Sequence, residues 1–242
     1  MVAHRLSRRA LLAIAASARL ASAATKPIRL LVVTGGHEFD ASFWEIFKSR
    51  PNWKMDQRVH EPADTCTAYD RPLAPDYDAV ILYDMPRNIT EAQQQNFLAI
   101  FERGVGVVVL HHALAGLQQW RTFEEITGLR MREKGDGALP PYTYQHDVHF
   151  DLQRVELKHP VLDEVPSFSV LDETYGRLYY HPEIQPLMVT NHPASIPVVV
   201  WTRTYRNSRL VMIQPGHGPQ IFANQNFRRL IANSVQWVAS AR

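Results

Sequence analysis

The chain has 242 residues, with 26 Lys and Arg against 24 Asp and Glu, a formal net charge of +2 and 45 % hydrophobic residues. That is enough apolar chain for one domain with a sizeable core. Cys66 is the single cysteine, which excludes an intrachain disulfide, and no later run of basic residues marks a nucleic-acid surface.

The first residues read as an address rather than as fold. Arg5, Arg8 and Arg9 precede an apolar stretch over 10–18, and Ala21-Ser22-Ala23 supplies a small-residue end. A basic start, a short apolar middle and such an end make an export signal. The stretch Ser7-Arg8-Arg9-Ala10-Leu11-Leu12 is similar to a twin-arginine signal. The apolar middle is shorter than the roughly 20 residues a bilayer span requires, so no stable membrane anchor is expected. The predicted division is an export signal over 1–24 and one domain over 25–242, located in the periplasm or outside the cell. The signal holds Arg5, Arg8, Arg9 and Arg19 and no acid, so the remainder has 22 basic and 24 acidic residues and a net charge of −2.

Ile28 to Val33 predicts a buried strand, ended by the turn Thr34-Gly35-Gly36-His37. A helix is expected over 41–48 and a second strand over 53–60, followed by a Pro/Asp/Thr loop to Pro75. Asp78 to Tyr83 predicts a third strand, and Thr90 is placed to cap a helix over 91–103. Gly104 to Leu110 is apolar throughout, as expected of a strand buried on both faces of a parallel sheet. After His111-His112-Ala113 come a helical piece over 114–128 and a Gly, Pro and Tyr excursion over 130–144. Residues 146–157 alternate as a surface strand, and 186–190, 197–205 and 209–214 read as late strands. A turn at Pro215-Gly216-His217-Gly218 precedes a closing helix over 222–239. The order β-α-β-β-α-β of the first half predicts a single-domain α/β fold with a doubly wound, mostly parallel sheet and helices on both faces.

In such a sheet, ligands bind beyond the carboxyl ends of the strands. The residues just past those ends are His37, Asp84, His111-His112 and His217, with glycines beside His37 and His217. Neutral imidazoles with a carboxylate form a zinc site that leaves a position for water or substrate; without metal they form an acid/base pair near neutral pH. If the last strand runs antiparallel, His217 leaves this edge. His146 and His149 point to opposite faces of one strand, so both reach one site only across a bend. No GxSxG elbow, no Walker A motif and no dinucleotide fingerprint is present, which disfavours serine-hydrolase chemistry, NAD and other nucleotides. Cys66 lies in a Pro/Asp loop with no helix start expected after it, and is expected to be an unreactive thiol. Tyr142, Tyr144, Tyr175, Tyr179 and Tyr180 add flat rings that stack on sugar faces.

Six motifs in order, Thr34 to Asp40, Val109 to Ala113, His159-Pro160, Asp172 to Tyr175, Gly216 to Gly218 and Asn233 to Trp237, resemble the ThuA-like (trehalose utilisation) family. The resemblance implies a class I glutamine amidotransferase-like (flavodoxin-like) fold and a role in carbohydrate metabolism on trehalose or keto-sugar derivatives. The elbow that holds the amidotransferase cysteine is occupied here by His111-His112-Ala113, so glutamine hydrolysis is not expected. The site predicted from motif and edge together has His112, Glu173 and His37 as catalytic groups. His111, Asp84 and Tyr175 are predicted to contact substrate, and His37, His112 and His217 to ligate a divalent metal, zinc first. The expected partner is a small carbohydrate, with a homo-oligomer left open. The alternative is a sugar-binding or accessory protein without catalysis.

Overall fold

A computed structural model of the chain describes residues 26–48, 50–73, 76–135, 137 and 139–240. The export signal expected over 1–24 lies outside the described residues. Strand β1 (Ile28–Gly35) is followed by a 3-10 helix (Ala41–Phe47) whose N-cap, Asp40, accepts from the Ser42 amide. Then come β2 (Trp53–Val59), β3 (Ala79–Asp84), α1 (Glu91–Glu102) and β4 (Gly106–Leu110). Thr90 and Gln93 form a reciprocal capping box that starts α1.

The single helical piece expected over 114–128 is divided. A 3-10 turn, His111–Ala115, follows β4 directly, and α2 (Arg121–Thr127) comes after it, ended by Gly128 at φ 71°. Next are β5 (Leu129–Arg130), β6 (Thr143–Arg154), β7 (Phe168–Gly176), β8 (Tyr179–Tyr180), β9 (Gln185–Val189), β10 (Val198–Tyr205) and β11 (Ser208–Ile213). The closing helix is also two helices, α3 (Pro219–Ala223) and α4 (Gln225–Ala239). Asn224 divides them because its side chain accepts from the Asn226 and Phe227 amides, which makes it an N-cap rather than a helix interior.

The main sheet has the order β2-β1-β3-β4-β11-β10-β9-β6-β7. The first five of these strands run parallel, β11 included, and the other four join antiparallel. The sheet is therefore mixed, parallel only in the half that the first strands build. Because β11 is parallel to β4, the His217 turn leaves the sheet on the same edge as His111. Two apolar layers cover the sheet. Leu30, Val32, Val108 and Leu110 pack with Phe227, Leu230 and Ile231 of α4 on one face. Leu31, Val33, Val107 and Val109 pack with Phe97 and Ile100 of α1 and Phe123 of α2 on the other. The alternation along each strand feeds both layers, which is why Leu30 to Val33 of β1 and Val107 to Leu110 of β4 are apolar at every position.

Three strands separate β11 from β7 in the sheet order. Even so, β7 meets the carboxyl edge: Asp172 accepts from the Gly216 and His217 amides, and the Gln214 side chain donates to the Glu173 carbonyl. The β6–β7 ribbon therefore folds back over that edge and roofs the site. A bulge interrupts β6 between Gln145 and Val148, with Asp147 at φ 54°. An extra residue in one strand bends it and re-aims the side chains next to it.

Candidate metal centre at the carboxyl edge

Among the described residues one group of potential ligands converges: donor atoms of His111, Glu173 and His217 lie within 4.8 Å of one another. Glu173 Oε2 stands 3.0 Å from His111 Nε2 and 3.2 Å from His217 Nδ1. The Tyr175 hydroxyl donates to the same oxygen over 3.3 Å, and its ring stacks on His111 at 5.2 Å between centroids. His111 and Glu173 are buried, whereas the His217 side chain keeps 37 % of its surface.

The backbone sets this geometry. His111 takes φ 54° at the end of β4, a left-handed conformation unusual for a side chain of its size. Its Nδ1–H donates to the Gln214 carbonyl over 2.8 Å, which directs Nε2 into the site. Gly216 approaches so closely that a Cβ there would stand 3.0 Å from His111 Cβ, and its φ of 148° also favours glycine. The buried Asp172 carboxylate takes the Gly216 and His217 amides and so fixes the turn that carries His217. Tyr83 secures it from below, donating to the Gly216 carbonyl over 2.8 Å.

The charges explain the shape. Burial opposes ionisation of Glu173, but hydrogen bonds from His111 and His217 outweigh it and hold the carboxyl well below the usual carboxylate range. The Glu173 hydrogen bond in turn raises His217 against the effect of its burial. Burial pushes the Tyr175 phenol far up, with the Glu173 charge adding to it, so Tyr175 remains a donor. Because His111 Nδ1–H is committed to Gln214, Nε2 can donate to Glu173 only as part of an imidazolium; as neutral imidazole it presents a lone pair. Two imidazole nitrogens around one carboxylate oxygen are thus held together by protons or by a divalent cation in their place. A histidine whose far nitrogen donates to a backbone carbonyl is the usual orientation of a metal ligand, and two histidines with a glutamate are a familiar zinc donor set.

The other expected site residues lie elsewhere. His37 and His112 stack on one another at 4.6 Å between centroids and do not join the converging group. His37 Nδ1–H turns back to the Glu38 carbonyl. His112 Nε2–H donates to the Tyr83 carbonyl over 3.2 Å, and burial followed by the nearby His111 and His37 holds its pKa well below the ordinary value. The expected ligand set His37, His112 and His217 therefore shares only His217 with the observed cluster. His111 takes the place expected for its neighbour, because the left-handed turn swings it and not His112 toward β7. Asp84 points inward and accepts from His60 Nε2 over 2.9 Å and from Tyr69; the His60 tautomer is fixed because its Nδ1 accepts from the Ala68 amide. Glu173 and Tyr175 lie where chemistry is possible, in strand β7, an element not expected from the sequence. Gln214 and Asp172 were not among the expected site residues, and of the His146/His149 pair it is His146 that reaches the cluster. His146 Nε2 lies 3.9 Å from Glu173 Oε1 and its ring packs on His217 at 4.6 Å between centroids; it stands within the β6 bulge, whereas His149 pairs with Leu171 beyond it. Cys66 is buried with its thiol pushed up to about 12, chiefly by desolvation.

A family model for ThuA, trehalose utilisation, matches residues 29–238. The chain belongs to the ThuA family. Solved structures agree on the fold. A protein described as ThuA-like from Parabacteroides merdae aligns with a TM-score of 0.74 at 22 % identity, covering 90 % of this chain and 91 % of that one. A second ThuA-like protein, from Bacteroides uniformis, gives 0.66 at 17 % identity over 90 % and 94 % of the two chains. A β-galactosidase from Bacillus circulans gives 0.59 at 9 % identity, with 86 % of this ThuA chain matching 30 % of that enzyme. No curated protein matches the sequence. At these identities the likeness concerns the fold alone.

Proposed function

We propose that this ThuA protein is an exported, metal-assisted enzyme acting on a sugar or glycoside of the trehalose or keto-sugar type. The observation that carries the reading is the His111 Nδ1–H bond to Gln214, which leaves His111 Nε2 facing Glu173 and His217. His111, Glu173 and His217 would hold the ion, and the half-exposed side of His217 leaves an approach from solvent. A divalent ion bound there supplies Lewis acidity toward a carbonyl or hydroxyl oxygen.

The surroundings suit a polyhydroxylated ligand. A cleft of about 470 Å³ is lined by Asn88, Gln119 and the Arg87–Glu133 ion pair, and it connects to the cluster through Tyr175 rather than through the three ligands themselves. Met85 and Ala115 of its wall pack against Tyr175. A cleft of this size with a few placed polar groups fits a small ligand. A row of rings leads away from His217: His146 lies 4.6 Å from it, Tyr144 5.5 Å from His146 and Tyr142 6.3 Å from Tyr144, and Tyr144 keeps 60 % of its surface exposed. Flat rings on a wet rim stack on the apolar face of a sugar. In the reaction, Tyr175 orients Glu173 through its hydroxyl, and His146 stands where a proton can be exchanged with a bound hydroxyl.

The test follows a panel of disaccharides and their keto derivatives by NMR after incubation with the zinc-loaded protein. Consumption of one member, reduced at least 100-fold by His111→Gln with the fold retained, is expected. Saturable binding with every sugar recovered unchanged would replace the enzyme by a sugar-binding protein. Export is tested by the intact mass of protein recovered from a periplasmic fraction, which should lack residues 1–24.

A further inference from the structure

A second cleft, of about 590 Å³, runs along the flank of α4 and shares no lining residue with the His111 cluster. Its walls hold Lys48, Arg50, Arg228 and Arg229, with Asn226 and Gln236 between them. Glu164 is the one acid in the lining and pairs with Arg229, while Lys48 pairs with Glu45. Arg50 and Arg228 have no carboxylate within ion-pair distance among the described residues.

Both guanidiniums are half-buried. Arg50 donates one NH2 hydrogen to the Arg228 carbonyl over 3.3 Å and lies over the Trp53 ring, while its Nε is buried without a hydrogen-bond partner. Arg228 donates through Nε to the Phe222 carbonyl. Burial, and then the charges of Arg229 and Arg228, disfavour the charged form of Arg50. A guanidinium does not release its proton near neutral pH. The repulsion therefore stays in the fold unless an anion relieves it. Two planar guanidiniums lining one cleft, each with donors beyond the one committed to a backbone carbonyl, match the oxygens of a phosphate-type group. None of this shows as a basic run in the sequence, because Arg50 and Arg228 are 178 residues apart.

We propose that this cleft binds a tetrahedral, multiply charged oxyanion of the phosphate type, with Arg50 and Arg228 as its principal charge partners. Lys48 and Arg229 close on it by turning from Glu45 and Glu164. The site is separate from the sugar reading above and does not depend on it.

The experiment titrates inorganic phosphate, and in parallel glucose 6-phosphate, into the full metal-loaded protein by calorimetry at constant ionic strength, with sodium chloride as the reference. Saturable phosphate binding absent with chloride is expected, weakened at least ten-fold in both Arg50→Gln and Arg228→Gln, with metal content unchanged. Tighter binding of glucose 6-phosphate would assign the site to a phosphorylated small molecule, and equal binding to the free anion. Arg228→Gln serves if Arg50→Gln does not fold. Phosphate heat no larger than that of chloride, or equal phosphate affinity in wild type and the folded variants, would overturn the proposal.

Discussion

His111 shows how much one dihedral angle decides. Its left-handed backbone costs about 1–2 kcal/mol for a side chain of this kind, and it turns the imidazole toward β7 while His112 settles under Tyr83. The sequence presents two adjacent histidines and no sign of which one turns, so both were expected at the site, and the geometry brings His111 rather than His112 into the converging group; the glycines around His217 were a better clue, since Gly216 is the residue that makes room for His111. Gly216→Val should therefore displace His111 and weaken zinc binding at least ten-fold, read by competition with a chromophoric chelator. Unchanged affinity would mean that His111 is not positioned by this contact. The charges give a second prediction. The raised His217 stabilises the metal-free fold below its unfolded pKa of about 6.5, and the contribution fades as pH rises through the folded value. The depressed Glu173 stabilises above its unfolded pKa of about 4.3, and that contribution is lost as pH falls from there toward the folded value. Because the buried His112, held low, removes stability on the acid side in every variant, the readout is a difference: in chelator the Tm advantage of wild type over His217→Gln should be largest in the window between about pH 5 and 6.5 and shrink above it. With zinc the trend reverses above this window, because metal binding displaces protons from the imidazoles.

At the scale of elements, the parallel half of the fold was legible and the roof over the site was not. The apolar runs 28–33, 78–83 and 104–110 identified β1, β3 and β4 because strands buried on both faces need apolar side chains at every position. Strand β7 was missed because its inner half, Asp172-Glu173-Thr174, is polar, and such residues carry no strand signal of their own. They are buried because they serve the cluster: Asp172 holds the His217 turn and Glu173 meets two histidines. Asp172→Asn puts an amide N–H against one of two backbone N–H donors. The loss should be about 1–3 kcal/mol, with a larger proportional loss of zinc affinity than of Tm; an affinity that stays at the wild-type value would remove Asp172 from the site's support. As a control remote from the edge, Thr90→Ala breaks the α1 capping box and should cost about 1 kcal/mol in urea denaturation with zinc binding unaffected.

Taken whole, the molecule is two apolar layers on one sheet with its polar side chains gathered where the strands end. The layers explain why the family's ordered motifs could be recognised across the chain: all but His159-Pro160, which starts a 3-10 turn, sit toward a strand end or in the closing helix that the layers fix in space. The pairing of distant segments explains what escaped. Glu173 reaches His111 only through the fold-back of β6 and β7, and Arg50 reaches Arg228 only through the packing beside α4. The central claim is that His111, Glu173 and His217 form a metal centre, and metal content tests it most directly. The untagged protein, purified without chelator and dialysed against zinc, should carry about one ion per chain by mass spectrometry, as a single structural or catalytic zinc site does. Glu173→Gln should lose that ion while His37→Ala keeps it. A wild-type protein that remains metal-free, or a Glu173→Gln variant that retains the ion, would contradict the account.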